Sequence, residues 1–137
     1  QKLLFTKLPI RFWSFTSEYF CEPISDAKKW HLVYEMIPEE FPIFVCESPI
    51  DAISLYELTH KPGIYTALGG LKANTLDWII QINRIYHSGL HLKRKVFLAV
   101  DNDAAGDRFC KDFSYPRIKP EGKDWNEDLI KKRLNLR

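Results

Sequence analysis

From Phe41 onward the chain alternates short apolar runs with longer stretches in which apolar residues recur every three or four positions. Ile43-Phe44-Val45-Cys46 is apolar throughout and rich in β-branched and aromatic residues, which predicts a buried strand ending at Glu47. Ser48-Pro49-Ile50-Asp51 then reads as a helix start, with Ser48 at the cap, Pro49 in the first turn and Asp51 three residues after the cap. Ile50, Ile53, Tyr56 and Leu58 carry that helix to His60, and Lys61-Pro62-Gly63 breaks it. Ile64 to Leu68 predicts a second strand, and Gly69-Gly70 a sharp turn or a close backbone approach. Asn74 is expected to cap a second helix, whose Leu76, Ile79, Ile80, Asn83 and Tyr86 share one face as far as His87, with Gly89 as its stop. Val96 to Val100 shows no polar alternation, as expected of a strand covered on both faces, and ends at Asp101. A helix is predicted over Ala104 to Cys110, a brief strand over Arg117 to Lys119, and a last helix capped by Asp124 that runs through Leu129, Ile130 and Leu134.

Repeated strand–helix alternation predicts an α/β domain over residues 41–137: a mostly parallel sheet of about four strands with helices on both faces. In such sheets the ligand site lies beyond the carboxyl ends of the strands. Residues 1–40 are patterned differently. Phe5, Phe12, Trp13, Phe15, Tyr19, Phe20, Trp30 and Tyr34 make them aromatic-rich, and Trp30 to Ile37 alternates loosely like a strand. They are expected to form an extension of short β segments packed on the main sheet. Aromatics could instead stack on bases, but core burial is their commoner use.

Composition narrows the class. The chain has 137 residues, enough for one domain of ordinary size, and its 45% hydrophobic and 28% charged residues are globular in balance. A net charge of +2 argues neither for nor against nucleic acid. No apolar run approaches the roughly 20 residues needed to cross a bilayer, so no membrane partner is expected. The start has neither the apolar core of a signal peptide nor an initiator Met, which is expected of a domain taken from a longer protein. Cys21, Cys46 and Cys110 are far apart and include no C-x-x-C pair, which argues against structural zinc and fits a reducing cytoplasm. Neither G-x-x-x-x-G-K-[ST] nor G-x-G-x-x-G occurs.

Charge is uneven along the chain. Residues 41–60 carry three acidic side chains and no basic one, whereas residues 61–100 carry six basic and one acidic. The acidic groups fall at strand ends: Glu47 after one strand, Asp101 and Asp103 after another, with Asp124 and Glu127 beyond the last. Mg²⁺ favours a few carboxylates together with waters and phosphate oxygens. Such a cation neutralises phosphoryl oxygens and activates an attacking group, and a neighbouring carboxylate can move a proton. Asp51, Asp103 and Asp124 can each also serve merely as helix caps. Asp101-Asn102-Asp103 has two further readings. As a calcium loop it lacks a ligand at Ala105 and has Asp112 where Glu is usual. As the D-x-D nucleophile of haloacid-dehalogenase-like phosphatases it has Ala105 where Thr or Val is normal and comes late in the chain.

Taken in order, Glu47 with Asp51-Ala52-Ile53-Ser54, Leu68-Gly69-Gly70, and Asp101-x-Asp103-x-Ala105-Gly106 resemble the Toprim domain. That module is shared by bacterial primases, type IA and type II topoisomerases, overcoming-lysogenization-defect nucleases and recombination-repair proteins. Val45 to Ala52 is similar to the Toprim-like branch in primase-type proteins of phages, plasmids and conjugative elements, and Gly122-Lys123-Asp124-Trp125-Asn126 resembles that branch's G-K-D-x-N motif. The resemblance implies a Rossmann-like fold and a Mg²⁺ (or Mn²⁺) site. It implies Glu47 as general acid/base, Asp101 and Asp103 as metal ligands, and Asp51 and Asp124 as supplements to them. Gly69, Gly70 and Gly106 would form backbone turns near the site. Asn126 falls where primases often carry a further Asp, which bears on a second metal. Lys72, Arg84, Lys93, Arg94, Lys95 and Lys123 are candidate contacts to a nucleic-acid backbone. The implied partners are DNA, as single-stranded template or duplex, nucleotides if the parent is a primase, and other domains of a longer protein. The leading expectation is a Mg²⁺-dependent catalytic domain of a DNA primase-like protein in mobile-element replication or transfer. A Toprim-type nuclease and a non-catalytic DNA-binding module are the alternatives.

Overall fold

The computed structural model describes residues 12–17, 34, 36–85 and 94–135, with the backbone alone at 84 and 85. Eight elements occur among them: β1 (Trp13–Thr16), β2 (Ile43–Cys46), α1 (Pro49–Thr59), β3 (Ile64–Ala67), α2 (Ala73–Ile85), β4 (Val96–Leu98), α3 (Ala104–Lys111) and α4 (Trp125–Asn135). The strands form one sheet in the order β1-β3-β2-β4. β2 runs parallel to both β3 and β4, with Ile43 opposite Ile64 and Val96, while β1 closes the edge antiparallel to β3. The fold is therefore α/β with a mostly parallel sheet, as the alternation predicted.

Strand periodicity sorts the core into two layers. Ile43, Val45, Ile64, Val96, Leu98 and Val100 project to one face, where Leu76, Ile79, Ile80 and Ile82 of α2 and Phe109 of α3 cover them. Phe44, Cys46, Tyr65 and Ala99 project to the other, under Ala52 and Leu55 of α1 and Trp125 of α4. The central strands are buried on both sides, which is why their sequences are apolar without alternation. Among the described residues, no helix is long and apolar enough to cross a membrane.

Three expectations are corrected. The fourth strand of the sheet is β1, not Arg117 to Lys119, which contributes only a parallel bridge between Arg117 and Leu98. Pro116 and Pro120 flank that segment and cannot donate to a ladder. Of the strand expected over 30–37, most lies outside the described residues; Tyr34 is helical, and the Ile37 N–H turns back to its carbonyl. Finally, α2 begins at Ala73, so Asn74 sits inside the first turn instead of capping it, and the Leu76 N–H closes on the Lys72 carbonyl. The residues expected at its far end, Tyr86 to Gly89, lie outside the described residues.

Arg94 also departs from expectation. It is 3% exposed, and its guanidinium donates to the carbonyls of Tyr34, Ile37, Pro38 and Phe41 while lying 4.5 Å from the centre of the Tyr34 ring. The Asn83 amide pairs with the Arg94 backbone in both directions and accepts from the Tyr34 hydroxyl at 2.6 Å. Arg94 thus ties residues 34–41 to the start of β4 and presents no charge to a nucleic acid.

Candidate metal centre

The carboxyl ends of β2 and β4 and the amino ends of α1, α3 and α4 converge. Glu47 follows β2 directly. Its carbonyl accepts from the N–H groups of Gly69 and Gly70 at 2.8 and 3.0 Å, which requires the two glycines to take φ values of 73° and 116°. That left-handed turn is what Gly-Gly supplies, so the pair serves to fix Glu47.

Asp51 closes the capping box of α1. Its Oδ2 accepts from the Ser48 hydroxyl at 2.8 Å, and its own N–H donates to Ser48 Oγ. Its Oδ1 accepts from the Asn126 N–H in the first turn of α4. Asp124 caps α4, accepting from the Glu127 N–H at 2.8 Å, and Asp103 caps α3, accepting from the Gly106 N–H at 2.8 Å. Capping and site-building are therefore the same act here. The cap preference fixes each carboxylate at a helix amino end, where the helix dipole favours negative charge.

Asp51, Asp101 and Asp124 each bring one carboxylate oxygen to within 4.8 Å of the others. Asp103 and Glu47 flank this set, Glu47 through a 3.4 Å bond that its Oε1 accepts from the Asp101 N–H. Asp101 Oδ1 is buried and has no hydrogen-bond partner, and none of the five carboxylates forms an ion pair among the described residues. The electrostatics follow. Burial, then the charges of Glu47, Asp51, Asp124 and Asp103, push the Asp101 carboxyl up to about 7. Burial likewise raises Glu47, with the Asp101 N–H pulling the other way and Asp103 and Asp51 adding to the rise. Hard oxygen donors, a buried oxygen without a partner and uncompensated charge suit a divalent cation such as Mg²⁺ or Mn²⁺.

The segment Gly122 to Asn126 is clasped in place. The Asn102 N–H donates to the Lys123 carbonyl, the Trp125 indole N–H donates to the Ala99 carbonyl, and the Asn126 side chain accepts from the Ser54 hydroxyl. Asp128, which carried no signal in the sequence, binds the N–H groups of Glu121 and Gly122 with its two oxygens. Trp125 and Asp128 are the residues that sequence reading missed. Trp125 stood inside the Gly122 to Asn126 motif, which was its pointer; Asp128, one turn into α4, had none.

The candidate basic contacts separate. Lys123 is exposed beside the acidic set, and the Lys72 ammonium lies over Gly69, 3.6 Å from where a Cβ there would stand. Lys95 is exposed at the opposite end of β4, and Arg94 is buried as described. Lys93 and the side chain of Arg84 lie outside the described residues.

Residues 44–129 match the model of a family described as Toprim-like. No curated protein and no solved structure matches the chain. The matched span takes in Glu47, Asp51, Asp101, Asp103 and Asp124 together with β3, β4, α1, α2, α3, most of β2 and the first part of α4; β1 lies outside it. On this ground the chain belongs to the Toprim-like family, whose domains hold divalent metals on acidic residues and act on DNA and nucleotides.

Proposed function

We propose that this chain is the Mg²⁺-dependent catalytic domain of a DNA primase-like protein, joining nucleotides in the replication or transfer of a mobile element. The observation that carries the reading is the convergence of Asp51, Asp101 and Asp124 oxygens within 4.8 Å, with Glu47 held against Asp101. The Gly122 to Asn126 run supports the primase-like branch, since it stands where that branch's closing motif would be and is built into the site.

Asp101, Asp51 and Asp124 would hold the cation, with Asp103 beside them. When bound, it would neutralise phosphoryl charge and lower the barrier to attack. Glu47, raised by burial above an ordinary carboxyl and held beside Asp101, is suited to taking and returning a proton. Lys72 and Lys123 lie on the same side and can bind phosphate oxygens of a DNA strand. The unpaired thiols of Cys46 and Cys110 fit residence in a reducing cytoplasm.

The test is to supply single-stranded template and nucleotides, and separately supercoiled DNA, with Mg²⁺ or Mn²⁺. Primer synthesis by the parent protein that disappears in Asp101→Asn supports the reading. Nicking that disappears in the same variant assigns the site to a nuclease. DNA binding without metal, unchanged by Glu47→Gln and Asp101→Asn and accompanied by neither reaction, assigns it to a binding module.

A further inference from the structure

We infer that Arg117 is the positioning residue of the metal centre: it holds the backbone of Asp101 so that the Asp101 carboxylate stays aimed at Asp51 and Asp124. The inference rests on the metal-dependent reading above. Arg117 stands on the outer edge of β4, where the Leu98 N–H donates to the Pro116 carbonyl at 2.8 Å and the Ile118 N–H donates to the Leu98 carbonyl at 2.9 Å. From there its side chain, 14% exposed, reaches past the end of the strand. Nη2 donates to the Asp101 carbonyl at 2.8 Å, and Nη1 donates to the Asp107 carboxylate on α3.

Gly106, beside Asp107 on α3, makes this packing possible. A Cβ at Gly106 would overlap the Asp101 carbonyl oxygen and come within 3.0 Å of Arg117 Nη2. One planar fork therefore joins three pieces of chain: the end of β4, the helix that follows it, and the edge segment. The other two members of the set are oriented through their own carboxylates, Asp51 by Ser48 and Asn126 and Asp124 by Glu127. Asp101 has no such bond on Oδ1, and its N–H goes to Glu47. Arg117 supplies through the main chain what the helix caps supply to the other two. A lysine could not, because a single ammonium cannot span carbonyl and carboxylate in the fixed geometry of a guanidinium.

The test is a Mn²⁺ titration of the full chain followed by electron paramagnetic resonance, with and without a single-stranded oligodeoxynucleotide. Wild type, Arg117→Ala, Arg117→Lys and Asp101→Asn are compared, with a thermal melt of each. Loss of an outer partner typically weakens metal binding by roughly 10–100-fold, and that loss is expected in both Arg117 variants. Arg117→Lys keeps the charge and most of the stem, so it is expected to melt cooperatively while still binding Mn²⁺ weakly. Wild-type affinity in Arg117→Lys would overturn the positioning role and leave only charge or packing. Asp101→Asn binding Mn²⁺ as wild type does, or no binding by wild type under either condition, would overturn the metal reading and this inference together.

Discussion

The backbone N–H of Asp101 donates to Glu47 Oε1 at 3.4 Å, so residues just past the carboxyl ends of two neighbouring parallel strands are joined to each other. This bond places the Glu47 carboxyl beside the acidic set without making it one of the set. Glu47→Gln keeps the acceptor oxygen and removes the titrating group. It is expected to lower turnover of the parent protein by roughly 10²–10⁴-fold, the usual worth of a general acid or base, while Mn²⁺ affinity changes little. Measuring both on one preparation separates the roles. Full turnover in the variant would remove Glu47 from the chemistry.

Caps and ligands can be told apart with serine. Asp103→Ser and Asp124→Ser each keep an oxygen at the helix cap, where loss to alanine would cost about 0.5–2 kcal/mol. Neither is expected to shift the urea midpoint greatly. Asp124 belongs to the set within 4.8 Å and Asp103 does not, so Asp124→Ser is expected to weaken Mn²⁺ binding more. The reverse order by calorimetry would make Asp103 the nearer ligand.

The crowding of carboxylates makes stability depend on pH with a definite sign. In the fold, Asp101 keeps its proton up to about 7, against 3.8 ordinarily. Between these values the folded state binds more protons than the unfolded state. Metal-free stability is therefore expected to fall as pH rises through that window, and Glu47 adds to the fall in the same direction. Urea denaturation in the presence of a chelator, for wild type and Asp101→Asn, checks this. The variant is expected to lose less over the window. Parallel curves would show that Asp101 titrates normally.

Arg94 predicts a large effect far from the chemistry. Removing it takes a donor from each of four buried or half-buried carbonyls, those of Tyr34, Ile37, Pro38 and Phe41, of which Tyr34 and Pro38 keep a backbone N–H. Unsatisfied buried groups cost about 1–3 kcal/mol each, so Arg94→Met is expected to destabilise by on the order of 3 kcal/mol or more. Lys72→Ala and Lys123→Ala are expected to weaken DNA binding with little change in stability. DNA affinity that falls in Arg94→Met while its stability holds would contradict the placement.

What the sequence made legible was what local pattern encodes. β2, β3 and β4 are apolar runs bounded by Glu47, Gly69 and Asp101, and buried strands read that way whatever surrounds them. The helix caps were legible because Ser48, Asp103 and Asp124 act within three residues of themselves. β1 was legible only as one of the short β segments expected somewhere in residues 1–40, and its place was not, because its pattern runs against burial by polarity. Ser14 and Thr16 are buried, Ser14 bonding to Thr66 at 3.0 Å, while Trp13 and Phe15 are half-exposed and pack on the layer of α1. Arg94 read as one charge in Lys93-Arg94-Lys95. The carbonyls that its guanidinium binds lie more than fifty residues away in the chain, where no local rule reaches. The same distance problem hid the pairing of Asp51 with Asn126 and of Glu47 with Asp101.

The gathering of Asp51, Asp101 and Asp124 with Glu47 and Asp103 sets the stability of the metal-free fold against the binding of a cation. An amide at Asp101 or Glu47 would relieve repulsion and burial of charge at almost no change in shape, so stability alone would favour it. Folding and cation binding therefore make opposite demands on Asp101 and Glu47: the metal-free fold would be better served by amides, and a bound divalent cation by the carboxylates.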